Sequence, residues 1–316
     1  LRLVGVAAAV LIAVVVATTA VVHSGPPSKD DLIQQAGLVG KRDLLVGVIG
    51  DQPGIAVQDP ATGQYSGFDI DIAYLVASDL GFDRDAVRFL SMDSKDRARM
   101  QARQGNQFAT VDLAVAAFSI TPHRAALPGV HFSAPYLRTA QSVLTRRDHP
   151  SVQSFNDLAD EKVCTITTST SVALRQANQS NVVGKNKISD CVDELLAHHV
   201  DAVTTDAVIL AGFVHAHPDE LRLHALGIDI DEQWGINTGS NTALRTLVNL
   251  SLYHSRYDPA DDRWEKAFDR NLRPEQPDSL PQEVANGEQP EVPKVRVREW
   301  PWQRDEALAV RPGTHR

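Results

Sequence analysis

Short apolar runs alternate with longer amphipathic stretches along most of the chain. The run "LLVGVIG" (44–50) has strand length, whereas "DIDIAYLVASDLG" (69–81) repeats apolar residues at helical spacing and ends in a glycine suited to a helix C-terminus. "VRFL" (87–90), a charged helix over 94–105 and the apolar "VDLAVAAF" (111–118) continue the series. This β-α-β-α-β order predicts an α/β fold, with a parallel sheet covered by helices.

The second half of the chain repeats this alternation. Signals for a short capped helix, a strand, a polar turn and a helix follow one another over 154–178, and helix, strand and helix signals span 191–217. The short strands "LRLHAL" and "WGINT" come next, and amphipathic patterns over 241–256 and 261–272 predict closing helices. The pattern therefore predicts two α/β lobes.

We expect the chain to cross between the lobes twice, because the closing helices need a partner sheet in the first lobe. Two crossings leave a cleft that faces the carboxyl ends of both sheets, where open α/β structures bind ligands. The predicted divisions are a transmembrane anchor or signal segment over 1–23, a linker over 24–40, lobe 1 over 41–140, lobe 2 over 141–236, closing helices of lobe 1 over 237–273, and a flexible tail rich in Pro and Glu over 274–316.

The amino-terminal segment 3–22 is uncharged and about as long as a membrane span requires. Arg2 precedes it, which favours a cytoplasmic start and an exported remainder. The segment contains no Cys that could carry a lipid. It is longer than the usual signal-peptide core and lacks a clear small-residue cleavage site, so an uncleaved anchor is favoured over a cleaved signal. We expect the protein at the extracytoplasmic side of the cell membrane, or secreted if the segment is cleaved.

Charge and motif content narrow the functional classes. The net charge of −9 argues against a nucleic-acid partner, which would require clustered Lys and Arg. The sequence contains no G-x-S-x-G, H-E-x-x-H, P-loop or G-x-G-x-x-G motif, so neither an enzyme nor a cofactor is predicted. A metal site is conceivable only in the histidine-rich stretch 215–224, where surface histidines at a helix end are the simpler interpretation.

Cys164 and Cys191 are the only cysteines of the chain. In an oxidising compartment such an isolated pair most simply forms a disulfide, and two free buried thiols are the alternative. A metal site is not expected from two cysteines without further Cys or His at ligand spacing.

Polar residues follow three predicted strands where helices begin. "FSITPHR" brings Ser119, Thr121 and Arg124 together, "TTSTS" covers 167–171, and Asp206 ends "DAVTTD". Alone, each is most simply a helix cap or a surface residue. In combination they describe a site for a zwitterion, because a guanidinium and hydroxyls suit a carboxylate, and a carboxylate suits an ammonium group.

These segments, with "GFDIDIAYLVASDLG" and "DDRWEKAFDRNL", resemble family 3 of the extracellular solute-binding proteins, and within it glutamate- or glutamine-binding members of actinobacteria. The resemblance spans roughly residues 42–273. It implies a type II periplasmic-binding-protein fold, with the ligand cleft between lobes joined by two hinge strands. It also implies that a polar amino acid, such as glutamate, glutamine or aspartate, closes the lobes and passes to the membrane permease of an ABC importer.

The resemblance also implies a set of binding residues. Family members hold the ligand α-carboxylate on the hydroxyl-and-arginine segment, use the hydroxyl turn of the second lobe, and place the α-amino group on the Asp. The residues so implied are Ser119, Thr121, Arg124, Ser169, Thr170 and Asp206. The aromatic residue that usually follows the first strand is absent from "GDQPGIAVQ", where Asp51 or Gln52 is expected to contact the ligand instead.

Two other functions remain open at this point. A membrane-tethered sensor would bind an amino acid in the same cleft and signal to a partner membrane protein, which the anchor and the absent lipidation Cys favour. A few proteins of this fold act as dehydratases, and such an enzyme would need a general acid over the ligand that the sequence does not nominate.

Overall fold

The computed structural model describes residues 25–171, 181–226, 232–276 and 283–298. In chain order, the strands of these residues are β1 (Leu44–Val48), β2 (Asp51–Gln52), β3 (Ala56–Gln58), β4 (Tyr65–Ser66), β5 (Val87–Ser91), β6 (Gln101–Gln104), β7 (Gln107–Thr110), β8 (Leu113–Ala114), β9 (Phe132–Thr139), β10 (Gln141–Arg146), β11 (Lys162–Ile166), β12 (Asn181–Lys185), β13 (Ala202–Asp206), β14 (Leu221–His224) and β15 (Glu232–Asn237). The α-helices are α1 (Lys29–Gln35), α2 (Phe68–Asp79), α3 (Pro122–Ala125), α4 (Ile188–Leu196), α5 (Ala207–Ala216), α6 (Thr242–Tyr257) and α7 (Arg263–Asn271).

A five-stranded sheet with the order β5-β1-β8-β15-β9 forms the centre of lobe 1. β1 pairs parallel with β5 and β8, whereas β15 runs antiparallel to β8 and β9. Leu44, Val46 and Val48 of β1 are fully buried, because helices α2 and α6 cover this sheet. The carboxyl ends of the parallel strands face the second lobe, which is where the candidate residues follow β8.

A second five-stranded sheet, with the order β12-β11-β13-β10-β14, forms lobe 2. β11 pairs parallel with β12 and β13, and β10 pairs antiparallel with β13 and β14. Helices α4 and α5 pack against it. The prediction of two α/β lobes is confirmed.

The chain passes between the lobes from β9 to β10 through Ala140, and again from β14 to β15. Because β15 belongs to the first sheet, residues 232–236 lie in lobe 1, and the predicted end of lobe 2 at 236 is too late. The sequence indicates a strand here, but a short apolar strand carries no local signal for the sheet that it joins.

The charged helix predicted over 94–105 is also wrong. A 3₁₀ turn over Ser94–Arg99 ends at Met100, which takes the left-handed conformation (φ 54°). The chain then forms the antiparallel β6–β7 hairpin around Gly105, which has a φ of 60°. Glycine suits this turn because it adopts positive φ without a steric penalty.

The predicted linker over 24–40 contains helix α1. Ser28 and Asp31 form a reciprocal capping box at its start, and Leu32 is buried against the rest of lobe 1. The S-x-x-D spacing is a recognised helix-start signal. The Pro and Ser content of the segment favours a linker and outweighs this signal in the prediction.

Residues 283–298, which we call the C-terminal arm, are packed, so the flexible tail predicted over 274–316 is wrong for this part. Val284 and Val292 are buried, and Thr139 at the end of β9 donates a hydrogen bond to the Val284 carbonyl (2.6 Å). The Arg298 amide donates to the Pro27 carbonyl (2.9 Å), beside α1. Isolated apolar residues in a Pro- and Glu-rich stretch lack periodicity and therefore escape a composition-based prediction.

Cys164 of β11 and Cys191 of α4 form a disulfide, and both are fully buried. The predicted pairing is confirmed. The bond closes a loop with a sequence separation of 27, which contributes about 3–4 kcal/mol in the chain-entropy description. It fixes α4 to the sheet of lobe 2.

The apolar segment 3–22 lies outside the described residues. None of the helices within the described ranges has the length and apolarity that a membrane crossing requires.

We expect Val292→Asp to lower the free energy of unfolding by about 2 kcal/mol or more, because a charge would replace a buried apolar group. Denaturant unfolding measures this, and Glu291→Asp, at the exposed neighbouring position, is the matched control. Equal stability of the two variants would contradict the packing of the arm.

Candidate functional site

The segment after β8 folds into a short turn that brings Arg124 inward. Pro122 is the first residue of α3, and the Thr121 hydroxyl accepts a hydrogen bond from the Arg124 amide (3.1 Å) as its N-cap. The Arg124 guanidinium donates from Nη1 to the Ser119 carbonyl (3.1 Å) and is only 8% exposed. Thr121 therefore caps a helix, as expected for such a residue, while Arg124 is not a surface side chain.

Asp69 holds the strand end from which this segment starts. Its Oδ2 accepts from the Ala117 amide (2.9 Å), and its Oδ1 accepts from the Tyr136 hydroxyl (2.8 Å). Ala117 has a positive φ of 46°, a conformation that needs such support in a non-glycine residue. Burial raises the pKa of Asp69 to about 7, although the two hydrogen bonds act to lower it.

Arg97 is a second buried arginine, which no sequence pattern indicates. It donates to the carbonyls of Ala116 (3.2 Å) and Ala117 (2.7 Å), and to Ser94 Oγ (2.5 Å). The guanidinium carbons of Arg97 and Arg124 lie 4.6 and 5.1 Å from the centroid of the Phe118 ring. Burial first, and then Arg124, lowers the pKa of Arg97 to about 9.

The hydroxyl turn of lobe 2 lies directly against this segment of lobe 1. The Thr168 carbonyl accepts a hydrogen bond from Arg124 Nη2 (2.8 Å), and the Thr168 hydroxyl donates one to Ser94 Oγ (2.8 Å). The Ser169 hydroxyl donates to Ser171 Oγ (3.1 Å), and Thr170 is half-buried beside it. The turn therefore lies against the arginine, and the contact comes from Thr168 rather than from Ser169 or Thr170.

Asp206 ends β13 and precedes α5, but its side chain makes no cap for that helix. Its Oδ1 accepts from Gln141 Nε2 (2.9 Å), and its Oδ2 accepts from Trp234 Nε1 (2.6 Å). Burial raises the pKa of Asp206 to about 7, with a further contribution from Glu232. The simpler interpretation of this residue as a helix N-cap therefore does not hold.

Gln141 links Asp206 to further polar residues of the hinge. Its Nε2 also donates to Glu232 Oε1 (3.1 Å), and its Oε1 accepts from the Ser171 hydroxyl (2.6 Å). Gln141 and Glu232 begin β10 and β15, the strands that follow the two crossings. No local sequence pattern indicates either residue, because the two come together only when both crossings are in place.

Asp51 and Gln52 occupy different environments. Asp51 Oδ2 accepts from the amide (3.1 Å) and the hydroxyl (2.9 Å) of Ser189 in the first turn of α4, whose own N-cap provides no side-chain bond. Asp51 of lobe 1 therefore caps a helix of lobe 2. Gln52 is 1% exposed, and its Oε1 has no hydrogen-bond partner among the described residues. Asp51 Oδ1 is likewise buried without a hydrogen-bond partner among the described residues, so both side chains keep an acceptor oxygen for a ligand.

The bonds from Arg124, Ser94 and Asp51 all join lobe 1 to lobe 2, so the described conformation is closed. Burial lowers the pKa of Arg124, whereas the negative charges of Asp206 and Glu232 act in the opposite direction. Opposite charges from the two lobes thus lie within one electrostatic neighbourhood, shielded from water.

The histidine-rich stretch 215–224 places His224 inside lobe 2. His224 is buried, with its Nε2 2.8 Å from the Thr145 hydroxyl and its Nδ1 accepting from the Val152 amide (3.2 Å). Burial lowers its pKa to about 4, so it is neutral at physiological pH. Within the described ranges, no three His, Cys, Asp or Glu residues are grouped as metal ligands.

Residues 44–274 match the family model of bacterial extracellular solute-binding proteins, family 3. The chain belongs to this family. A glutamate-binding protein of Corynebacterium efficiens is 31% identical over 242 residues, covering 73% of this chain and 79% of the relative. The glutamine-binding protein of a Bacillus subtilis ABC transporter is 29% identical, covering 77% of this chain and 89% of the relative.

Solved structures agree on the fold. A solute receptor for L-cysteine from Neisseria gonorrhoeae superposes with a TM-score of 0.69 at 23% identity, covering 81% of this chain and 99% of the receptor. The family and the two-lobed binding-protein fold that the sequence predicted are confirmed.

Glu275 occupies a second junction of the lobes. It follows α7, and its carboxyl lies so close to Gly54 of lobe 1 that a Cβ there would overlap it. A Cβ on Gly212 of α5, in lobe 2, would lie 3.2 Å from Glu275 Oε2. This oxygen has no hydrogen-bond partner within the described structure. Burial alone raises the pKa of Glu275 to about 7.

We expect Glu275→Gln to stabilise the protein at neutral and alkaline pH. A carboxyl whose pKa is raised by folding costs nothing below its ordinary pKa of about 4.5, and progressively destabilises the fold as pH rises toward 7. The advantage of the variant should therefore grow between these values, to at most about 3 kcal/mol. Chemical unfolding across this pH range measures it. Exposed Glu283→Gln is the control, and the same pH profile for both variants would contradict the burial of an unpaired carboxyl.

Proposed function

We propose that this protein binds a polar α-amino acid between its lobes, with glutamate, glutamine or aspartate as the candidates. The observation that carries the proposal is the burial of Arg124 and Asp206, two opposite charges from different lobes, at the ends of strands that face one cleft. A zwitterion matches both charges. The names of the Corynebacterium efficiens and Bacillus subtilis relatives, a glutamate- and a glutamine-binding protein, support this ligand class.

In this proposal, the ligand α-carboxylate binds the Arg124 guanidinium, together with Ser119 and Thr121. The α-ammonium group binds Asp206, whose carboxylate oxygens each retain capacity for a further hydrogen bond. Ser169 and Thr170 complete the carboxylate subsite from lobe 2. The assignment of the carboxylate to Arg124 follows the geometry of a guanidinium, which suits a planar carboxylate.

The ligand side chain is assigned to Gln52. Its buried amide occupies the position after the first strand and has an acceptor oxygen to satisfy. Asp51 caps α4 through Oδ2, and its buried, unpartnered Oδ1 is a second candidate contact for the ligand side chain.

Binding would act through closure of the hinge. A ligand that touches Arg124 from lobe 1 and Asp206 from lobe 2 binds the closed conformation better than the open one, and shifts the equilibrium by that difference in affinity. The direct bond from Arg124 to the Thr168 carbonyl would then compete with the ligand carboxylate.

We expect Arg124→Ala to weaken amino-acid binding by about two orders of magnitude or more, because it removes one partner of a desolvated charge pair. Calorimetric titration with L-glutamate, L-glutamine and L-aspartate measures this and identifies the ligand. Arg88→Ala, which removes an exposed arginine of the same lobe, is the control. Wild-type affinity in the Arg124 variant would refute the clamp.

We further place the protein on the outer face of the cell membrane, held by the apolar segment 3–22, as a binder without catalytic turnover. It would deliver its ligand to the permease of an ABC importer. Deleting its gene should then reduce uptake of the ligand identified by calorimetry, measured with radiolabel in the source cell. Unchanged uptake would contradict import and favour the alternative, a sensor that signals to a partner membrane protein.

A further inference from the structure

Trp234 lies between the two halves of the proposed site. It is fully buried in β15, and its backbone forms an isolated bridge with Ser119. On either side, the Ile120 amide donates to the Gln233 carbonyl (2.7 Å), and the Gly235 amide donates to the Phe118 carbonyl (3.0 Å). The main chain around Trp234 therefore holds the segment that carries Ser119.

The side chain of the same residue reaches the other half. Its indole N–H donates to Asp206 Oδ2 at 2.6 Å, and this bond runs from a strand of the lobe 1 sheet to the end of a lobe 2 strand. A hydrogen bond to a carboxylate is short and strong, and it favours the ionised form of the acid. The position of the indole itself is fixed by the strand pairing around it.

We propose that Trp234 is a positioning residue for ligand binding, whose indole N–H keeps Asp206 ionised and correctly oriented to receive an α-ammonium group. This inference rests on the proposed function. It adds to it a residue that does not touch the ligand but couples the ammonium subsite to the carboxylate segment.

The electrostatic surroundings explain why one hydrogen bond matters here. Glu232 faces Asp206 and opposes its ionisation, as does burial, whereas Arg124 and Arg97 favour it together with the indole. Burial and Glu232 outweigh these three influences and raise the pKa of Asp206 to about 7, so its ionisation depends on each donor and cation around it. Removing the indole donor should therefore raise the pKa further and favour the neutral acid.

Trp264 offers a matched control. It is also fully buried, and its Nε1 donates to the Tyr136 carbonyl (2.8 Å), but it lies in α7 and has no bond to Asp206. Trp264→Phe and Trp234→Phe therefore remove the same donor from equally buried rings. Any general effect of losing an indole should appear in both variants.

The experiment is calorimetric titration of the full-length wild type and both variants between pH 5.5 and 8.5 with L-glutamine and L-glutamate. We expect Trp234→Phe to weaken binding about tenfold or more at pH 7. The rise of affinity with pH should move to higher pH in this variant alone. Asp69 and Glu275 are present in the wild type and in both variants. A difference in the pH dependence of affinity between the variants therefore reports Asp206.

A des-amino probe makes the test specific. Glutarate has no ammonium group, so its affinity should not fall in Trp234→Phe, whereas a general loss of site structure would weaken it too. If Trp234→Phe fails to fold, β-(3-benzothienyl)alanine at position 234 keeps the ring shape without the N–H, and the same expectations apply.

The outcomes separate this inference from the proposed function. If wild type binds an amino acid but the pH profiles of Trp234→Phe and Trp264→Phe coincide, the positioning role is overturned and the proposed function stands. An equal loss of glutarate binding also overturns it. If wild type binds none of L-glutamate, L-glutamine and L-aspartate, both fall.

Discussion

The desolvation of opposite charges between the lobes is the constraint on which the site depends. Arg97 and Arg124 come from lobe 1. Asp206 ends β13 and Glu232 begins β15, and all four residues are buried. An isolated buried charge is strongly unfavourable, so each must be matched by hydrogen bonds or by an opposite charge. The α-carboxylate and α-ammonium groups of an amino acid add one charge of each sign and preserve this balance.

The rest of the fold holds these charged side chains close together. The two crossings place Gln141 and Glu232 side by side, and the disulfide fixes α4, whose first turn meets Asp51. The C-terminal arm hydrogen-bonds the end of β9 next to the first crossing. Closure therefore engages contacts on several sides of the hinge, and the half-buried Glu275 lies against both lobes at a further junction.

Whether a site residue could be predicted from the sequence depends on its position in the fold. Ser119, Arg124 and Asp206 could be predicted as candidate binding residues because polar residues at strand ends of an α/β fold converge on one edge. The disulfide could be predicted from the expected export of the protein. Trp234 sits inside an apolar strand pattern and gives no polar signal. Its role depends on β15 crossing back into lobe 1, which the predicted boundary placed incorrectly. The cap that Asp51 provides for α4 exists only when the lobes meet, so no local pattern reports it.

The central claim is that an amino acid bridging both lobes drives closure. Spin labels on Asp85→Cys of lobe 1 and Asp160→Cys of lobe 2, both exposed positions, allow the interlobe distance to be measured by pulsed electron paramagnetic resonance. The account predicts a broad distribution in the free protein that becomes single and narrow with saturating L-glutamate, L-glutamine or L-aspartate. A distribution that none of these amino acids changes would contradict it.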